Sequence, residues 1–213
     1  MTMLSAAEAL KRLRAGNARF VSGEGVREAY PSQARLAEIA QTQEPFAIIL
    51  GCSDARVPAE IIFDKGLGDL FVIRVAGNIV APSQVGSVEF AAARFGTRLV
   101  VVLGHSECGA IDATLEELLR PGGRQSRNLR SIVDRIRPSV EEMMKTELRN
   151  DLDALVKHAV RANVDVSVNH LRHGSEILEE LIESDGLLIV GAEYSLTTGK
   201  VEFFQDTTAT AEE

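Results

Sequence analysis

Apolar residues along this chain fall into two kinds of pattern. Four runs are short and almost unbroken: Pro45–Cys52 (PFAIILGC), Asp69–Ala76 (DLFVIRVA), Arg98–His105 (RLVVVLGH) and Gly186–Tyr194 (GLLIVGAEY). Each is rich in Val, Ile or Phe with turn residues nearby, which predicts parallel strands covered on both faces. Between them the apolar positions recur at helical spacing. Val85, Val88, Ala92 and Phe95 mark one helix in Ser83–Phe95, and Ile111–Leu119 is a second, with Glu107 near its start. Leu129 to Leu171 predicts one or more long helices with a polar face, and Ser175–Glu183 another. Near the start, Leu4, Ala6, Leu10, Leu13 and Phe20 fit an amphipathic helix. Thr198–Phe204 reads as a turn into an edge strand. Alternating strands and helices imply right-handed crossovers, and so an α/β fold with a mostly parallel β-sheet core flanked by helices.

With 213 residues, 45% of them hydrophobic, the chain can bury a full core as one domain spanning 1–213, with roughly residues 1–40 as an N-terminal helical arm. Pro121-Gly122-Gly123-Arg124 is the best loop candidate and connects two helices of that domain. The net charge of −8 argues against a polyanion as the main partner, so nucleic-acid binding is not expected. No apolar run reaches the roughly 20 residues that span a bilayer. Glu8, Lys11, Arg12, Arg14 and Arg19 interrupt the N-terminal segment, which therefore lacks the apolar centre of a secretory signal. The expectation is a cytoplasmic protein without a membrane partner.

The chain has two cysteines, Cys52 and Cys108. One disulfide is a weak framework for a domain of this size, and in a reducing compartment such a pair points to metal or catalysis. In open α/β sheets, ligands gather beyond the carboxyl ends of the strands. The first predicted strand ends in Cys52-Ser53-Asp54-Ala55-Arg56, and the third in His105-Ser106-Glu107-Cys108-Gly109. If those strands are neighbours, Cys52, His105 and Cys108 converge. Two thiolates and an imidazole suit zinc, and three protein ligands leave the open position of a catalytic site. Taken singly, each residue has a plainer reading, since a lone Cys at a strand end is usually a small apolar residue. Extended alternation would put Asp54 and Arg56 on the side of Cys52, where Asp54 can orient a metal-bound nucleophile and Arg56 can hold the carboxylate bidentately. A capping Asp beside a surface Arg is the plainer alternative.

Cys-x-Asp-x-Arg followed by His-x-x-Cys resembles the β-class carbonic anhydrases, and the likeness extends to Ala81–Glu89 (APSQVGSVE), Gly104–Ala110 (GHSECGA) and Ile189–Phe203 (IVGAEYSLTTGKVEF). The resemblance implies reversible hydration of carbon dioxide to bicarbonate and a proton by zinc hydroxide, with one zinc per chain. It implies a helical arm that wraps a second subunit, in a homodimer or a tetramer built from dimers. Gln43 resembles a glutamine that donates a hydrogen bond to bicarbonate, often across the dimer interface. Phe71 resembles a phenylalanine lining the carbon dioxide pocket, and Phe90 falls where some members carry tyrosine. Asp54 serves some members as a fourth zinc ligand in a closed state. Other closed-form members have an inhibitory bicarbonate pocket involving tryptophan. Arg74 matches its arginine, but Ile49 stands at the tryptophan position and the chain contains no Trp.

Two thiolates formally cancel the charge of zinc, so the centre is expected to be a weaker Lewis acid than one held by three histidines, with activity favoured in alkaline conditions. Two alternatives stay open on sequence: a carbon disulfide or carbonyl sulfide hydrolase on the same scaffold, and a non-catalytic zinc-stabilised scaffold protein. Gly66-Leu67-Gly68-Asp69-Leu70-Phe71 lacks the third glycine of a dinucleotide fingerprint, and the P-C-x-x-C motif of a zinc nucleobase deaminase does not occur. His158, His170 and His173 lie in the predicted helical region, where solvated or capping roles are commoner than proton transfer.

Overall fold

A computed structural model of the chain describes residues 4–25, 32–120 and 126–204. Its centre is a five-stranded sheet in the order β2-β1-β3-β4-β5. Strands β1 (Ala47–Gly51), β2 (Leu70–Arg74), β3 (Leu99–His105) and β4 (Leu188–Tyr194) run parallel, and β5 (Val201–Phe203) returns antiparallel at the edge. All four apolar runs are therefore strands, and the turn-plus-edge reading of Thr198–Phe204 holds.

The unbroken hydrophobicity of β1 and β3 has a simple cause: both faces are covered. Ala47, Ile49, Leu99, Val101 and Leu103 pack with Ala9 and Leu13 of α1 (Ala6–Ser22) and with Ile62 of α3 (Ala59–Ile62). The alternate residues Ile48, Leu50, Val100 and Val102 pack against α4 (Pro82–Phe95), α7 (Leu152–His173) and α8 (Glu176–Ser184). Helix α7 lies close on β3 because Gly104 has no side chain: a Cβ there would meet Val164 Cγ2 at 2.6 Å. Helices α5 (Gly109–Leu119) and α6 (Arg127–Val140) complete the cover beyond the carboxyl ends of the strands, where Ile111, Leu115, Ile136 and Val140 pack around Cys52 and Cys108. The long predicted helical region thus divides into α6 and α7, and the Pro121–Arg124 loop lies outside the described residues.

The N-terminal region is helical, formed by α1 and by α2 (Gln33–Ile39). Ser5 caps α1 through its side chain, and Gly23 ends it in the left-handed conformation. Ala9 and Leu13 are fully buried in the chain's own core. Asn17 fastens the helix further, donating to the carbonyls of Ile62 (3.2 Å) and Gly199 (2.9 Å) and accepting the Val201 N–H (2.8 Å). Gly16 permits this approach, since a Cβ there would sit 1.9 Å from the Phe63 carbonyl oxygen. Helix α1 is therefore an integral layer of its own chain. Helix α2 (Gln33–Ile39) buries no residue against that chain.

Candidate metal centre

Strand β1 delivers Cys52 one residue past its end, and neighbouring β3 ends in His105. Three residues on, Cys108 is the N-cap of α5. Glu107 adopts a positive φ of 54°, which turns the chain sharply between the two ligands. The Sγ atoms of Cys52 and Cys108 and a ring nitrogen of His105 all lie within 4.8 Å of one another, and all three residues are buried.

A buried imidazole nitrogen normally has a partner. His105 Nδ1 lies 2.9 Å from the Ser106 carbonyl, which fixes the ring, but Nε2 is buried with no hydrogen-bond partner. The two thiols are not joined in a disulfide. A soft, tightly clustered S₂N donor set with an orphaned ring nitrogen fits zinc.

The charge of the cluster is divided unequally between the two thiols. The hydrogen bond from Cys108 brings the Cys52 thiol down to about 4 against the opposition of burial, with His105 and the backbone N–H groups of Gly77 and Asp54 helping. Gly77 N–H stands 3.3 Å from Cys52 Sγ. Cys108 is pushed up, because its proton is held by the Cys52 thiolate and burial disfavours a second anion. Burial pulls His105 down, but the neighbouring Cys52, the Ser106 carbonyl and the charge of Asp54 outweigh it and leave it raised.

Asp54 and Arg56 stand beside this cluster. Arg56 donates through Nε to Asp54 Oδ1 (2.9 Å) and through Nη2 to Oδ2 (2.7 Å), and its backbone N–H also reaches Oδ1 (2.9 Å). These contacts, led by the guanidinium, hold the Asp54 carboxyl well below the usual carboxylate range. Asp54 Oδ2 is 4.0 Å from His105 Nε2. Extended alternation does not produce this pairing. The chain turns at Ala55–Arg56, with Val57 N–H donating to the Asp54 carbonyl (3.0 Å), and the turn folds the guanidinium back over the carboxylate.

Arg74 takes a place that its sequence position did not suggest. Its Nε donates to the Cys52 carbonyl (3.0 Å) and its Nη2 to the Asp54 carbonyl (2.5 Å), bracing the backbone of the ligand loop from β2. Ile49 is fully buried in the sheet. The contribution of Gly77 was also missed, although Ala76-Gly77-Asn78 follows the end of β2, where site residues are expected.

The remaining residues singled out from sequence lie elsewhere. Phe71 is in register with Ile48, well before the Cys52 end of β1. Its ring centroid is 6.2 Å from that of Phe90 and 6.1 Å from that of Phe95, and Phe90 is 53% exposed. Gln43 lines a surface depression of about 670 Å³ with Arg94 and Phe95. Gln43, Phe71 and Phe90 thus surround Phe95 and are not brought to the metal cluster within one chain. His158, His170 and His173 lie on α7, outside that cluster.

The family model described as carbonic anhydrase matches residues 47–201. A carbonic anhydrase of Mycolicibacterium smegmatis is 40% identical over 196 residues, covering 91% of each chain. Carbonic anhydrase 2 of Mycobacterium tuberculosis is 40% identical over 197 residues, covering 90% of this chain and 89% of the relative. Among solved structures, a tetrameric β-carbonic anhydrase of Sordaria macrospora superposes with a TM-score of 0.71 at 25% identity, covering 82% of this chain and 87% of the other. A β-carbonic anhydrase of Aspergillus fumigatus shares the fold, with a TM-score of 0.72 at 24% identity over 97% of this chain and 92% of that one.

Proposed function

The chain belongs to the β-class carbonic anhydrase family and is a carbonic anhydrase, and from that premise we propose that carbon dioxide is hydrated at a zinc ion held by Cys52, His105 and Cys108. The observation that carries this reading is the buried convergence of those three donors with His105 Nε2 unpartnered. When bound, zinc supplies Lewis acidity that draws the pKa of a coordinated water down toward the working pH.

The chain's own residues do the rest. Gly77 N–H and the braced carbonyls of Cys52 and Asp54 fix the ligand loop, so that the donor atoms are positioned before a metal arrives. Asp54, kept ionised by Arg56, is an acceptor beside His105 Nε2. There it can take a hydrogen bond from the attacking oxygen and aim its lone pair at the carbon of carbon dioxide. Arg56 is the positioning residue that holds the carboxylate clear of the three donors, the arrangement of an open site. Its Nη2 also donates to the Glu107 carbonyl (3.2 Å), which ties the β1 and β3 loops together.

The substrate pocket is completed, in this reading, by a second subunit. Gln43 lines a depression with Phe95, and Phe71 and the exposed Phe90 pack against the same Phe95, a patch suited to bicarbonate on one side and carbon dioxide on the other. Within one chain that patch lies away from the metal cluster, and the Sordaria macrospora relative is tetrameric. Among the described residues no helix is long and apolar enough to cross a membrane.

Stopped-flow hydration with metal analysis tests the reading on wild type and Cys108→Ser. Active wild type with about one zinc per chain, and loss of both in the variant, is the expected result. An active protein without zinc would overturn it.

A further inference from the structure

Helix α7 buries two polar residues, Asn163 and Ser167, one helical turn apart among Ala159, Val160, Val164 and Val168. An apolar pair at these positions would pack against the sheet without taking an amide and a hydroxyl out of water. Both groups instead serve one short turn. Asn163 Nδ2 donates to the Gly77 carbonyl (2.8 Å), and Ser167 Oγ donates to the Asn78 carbonyl (3.1 Å). A helical serine has a nearer acceptor in the carbonyl four residues back, yet this hydroxyl reaches across to the turn.

The turn that they hold, Ala76–Asn78, follows the end of β2. Gly77 (φ 70°, ψ 20°) and Asn78 (φ 42°) are left-handed in succession. Position 77 also has no room for a side chain, since a Cβ there would meet Ile136 Cδ1 at 2.8 Å and Ala110 Cβ at 3.1 Å. Glycine is the residue whose backbone rotates most freely, so its direction has to be fixed from outside. What that direction controls is the Gly77 N–H, 3.3 Å from Cys52 Sγ. The carbonyls gripped from α7 belong to the two peptide units that follow this N–H, and holding them holds it.

We propose, resting on the zinc reading of this cluster, that Asn163 and Ser167 are positioning residues of the metal centre. Through the two carbonyls they aim the Gly77 N–H at the Cys52 sulfur. That hydrogen bond fixes where the sulfur lies relative to His105 and Cys108 before an ion arrives. Helix α7 thus acts on the centre without supplying a ligand to it.

Chelator competition tests this by measuring the zinc dissociation constant of wild type, Asn163→Leu and Ser167→Ala. Asn17→Ala serves as a variant weakened elsewhere in the fold. Both α7 variants are expected to bind zinc about tenfold more weakly than wild type, the lower end of the cost of losing a group that orients a ligand. Asn17→Ala should bind as wild type does. Cobalt-loaded protein gives a second readout, because its thiolate-to-cobalt absorption band moves to longer wavelength when a hydrogen bond to sulfur is lost. That shift is expected in both α7 variants, and Ser167→Ala, the milder change, carries the test if Asn163→Leu does not fold. Wild-type zinc affinity in Ser167→Ala, a loss equalled in Asn17→Ala, or an unmoved cobalt band would overturn the proposal. Wild-type protein that binds no zinc would overturn the metal reading and this one together, whereas wild-type binding with unaltered variants removes only the role of α7.

Discussion

Arg56 grips Asp54 with both prongs of its guanidinium, Nε to Oδ1 at 2.9 Å and Nη2 to Oδ2 at 2.7 Å, while the same Oδ2 lies 4.0 Å from the unpartnered His105 Nε2. One carboxylate thus stands between a cation that fixes it and a donor atom that fits a metal. Its position depends on the fork, because a single-point donor cannot hold both oxygens. Arg56→Gln is expected to lower hydration activity about 10- to 100-fold at unchanged zinc content. Arg56→Lys should restore little of it. Stopped-flow rates on zinc-quantified samples check both, and near-wild-type activity in Arg56→Gln would rule out a positioning role for the pair.

Removing the metal should loosen the end of the sheet that it ties together. Cys52, His105 and Cys108 come from two strand ends and a helix start, so an ion bound in the folded state alone stabilises the whole arrangement. Chelator-treated protein should therefore melt at a lower temperature than the zinc-loaded form, and added zinc should restore the midpoint. Cys108→Ser should show little of that recovery. Thermal unfolding followed by circular dichroism, before and after dialysis against chelator, makes the comparison.

Glu193 gives a pH dependence of opposite sign to a salt-bridged acid. Burial raises its carboxyl above the ordinary value, Arg161 pulls it down and Glu202 pushes it up. The unfolded chain ionises first as pH rises past about 4.3, so the destabilisation appears there and is complete above the raised folded value. Glu193→Gln is expected to raise the melting temperature near pH 7, with the gain shrinking toward zero below about pH 4. Melting curves of the two proteins across that range decide it. A gain that persisted at low pH would assign the effect to packing instead.

Much of this molecule could be read from its residues, and what was not has a common cause. Runs such as Leu99–His105 declared parallel strands because both faces of β3 are apolar, and the ligands fell where such strands end. Backbone groups carry no side-chain signal, so the Gly77 N–H on Cys52 and the carbonyls gripped by Arg74 could not be seen in advance. The turn at Ala55–Arg56 was read as extended, since local alternation does not reveal that a guanidinium will fold back on a carboxylate two residues away. Helix α1 was legible as amphipathic but not its destination. A stripe of Leu4, Leu10 and Leu13 serves equally on its own sheet or on a partner's, and buried Asn17, a polar residue, is what ties it to the Val201 strand.

That helix offers a stability test. Asn17→Ala would strand the Val201 N–H and two carbonyls that Asn17 now satisfies, and a buried unsatisfied group costs about 1–3 kcal/mol. Denaturant titration should show a loss of that order with little change in the slope. Asn17→Asp should recover only the bond from Val201, since a carboxylate cannot donate to Ile62 or Gly199.

The separation of Gln43 and Phe90 from the metal cluster within one chain leads to a complementation experiment. If each site takes its ligands from one subunit and its substrate contacts from the other, Cys52→Ser and Gln43→Ala proteins are each poorly active alone. In a mixed two-fold dimer, however, one site receives intact Cys52 from the second variant and intact Gln43 from the first. Random reassortment makes half of the dimers mixed, each with one good site of two, so about a quarter of wild-type activity should return. Co-expression with two different affinity tags isolates the mixed dimer, where about half of wild-type activity is expected. A mixed dimer no more active than the average of its parents would place both halves of the site on the same chain, and the patch around Phe90 would then need another occupant.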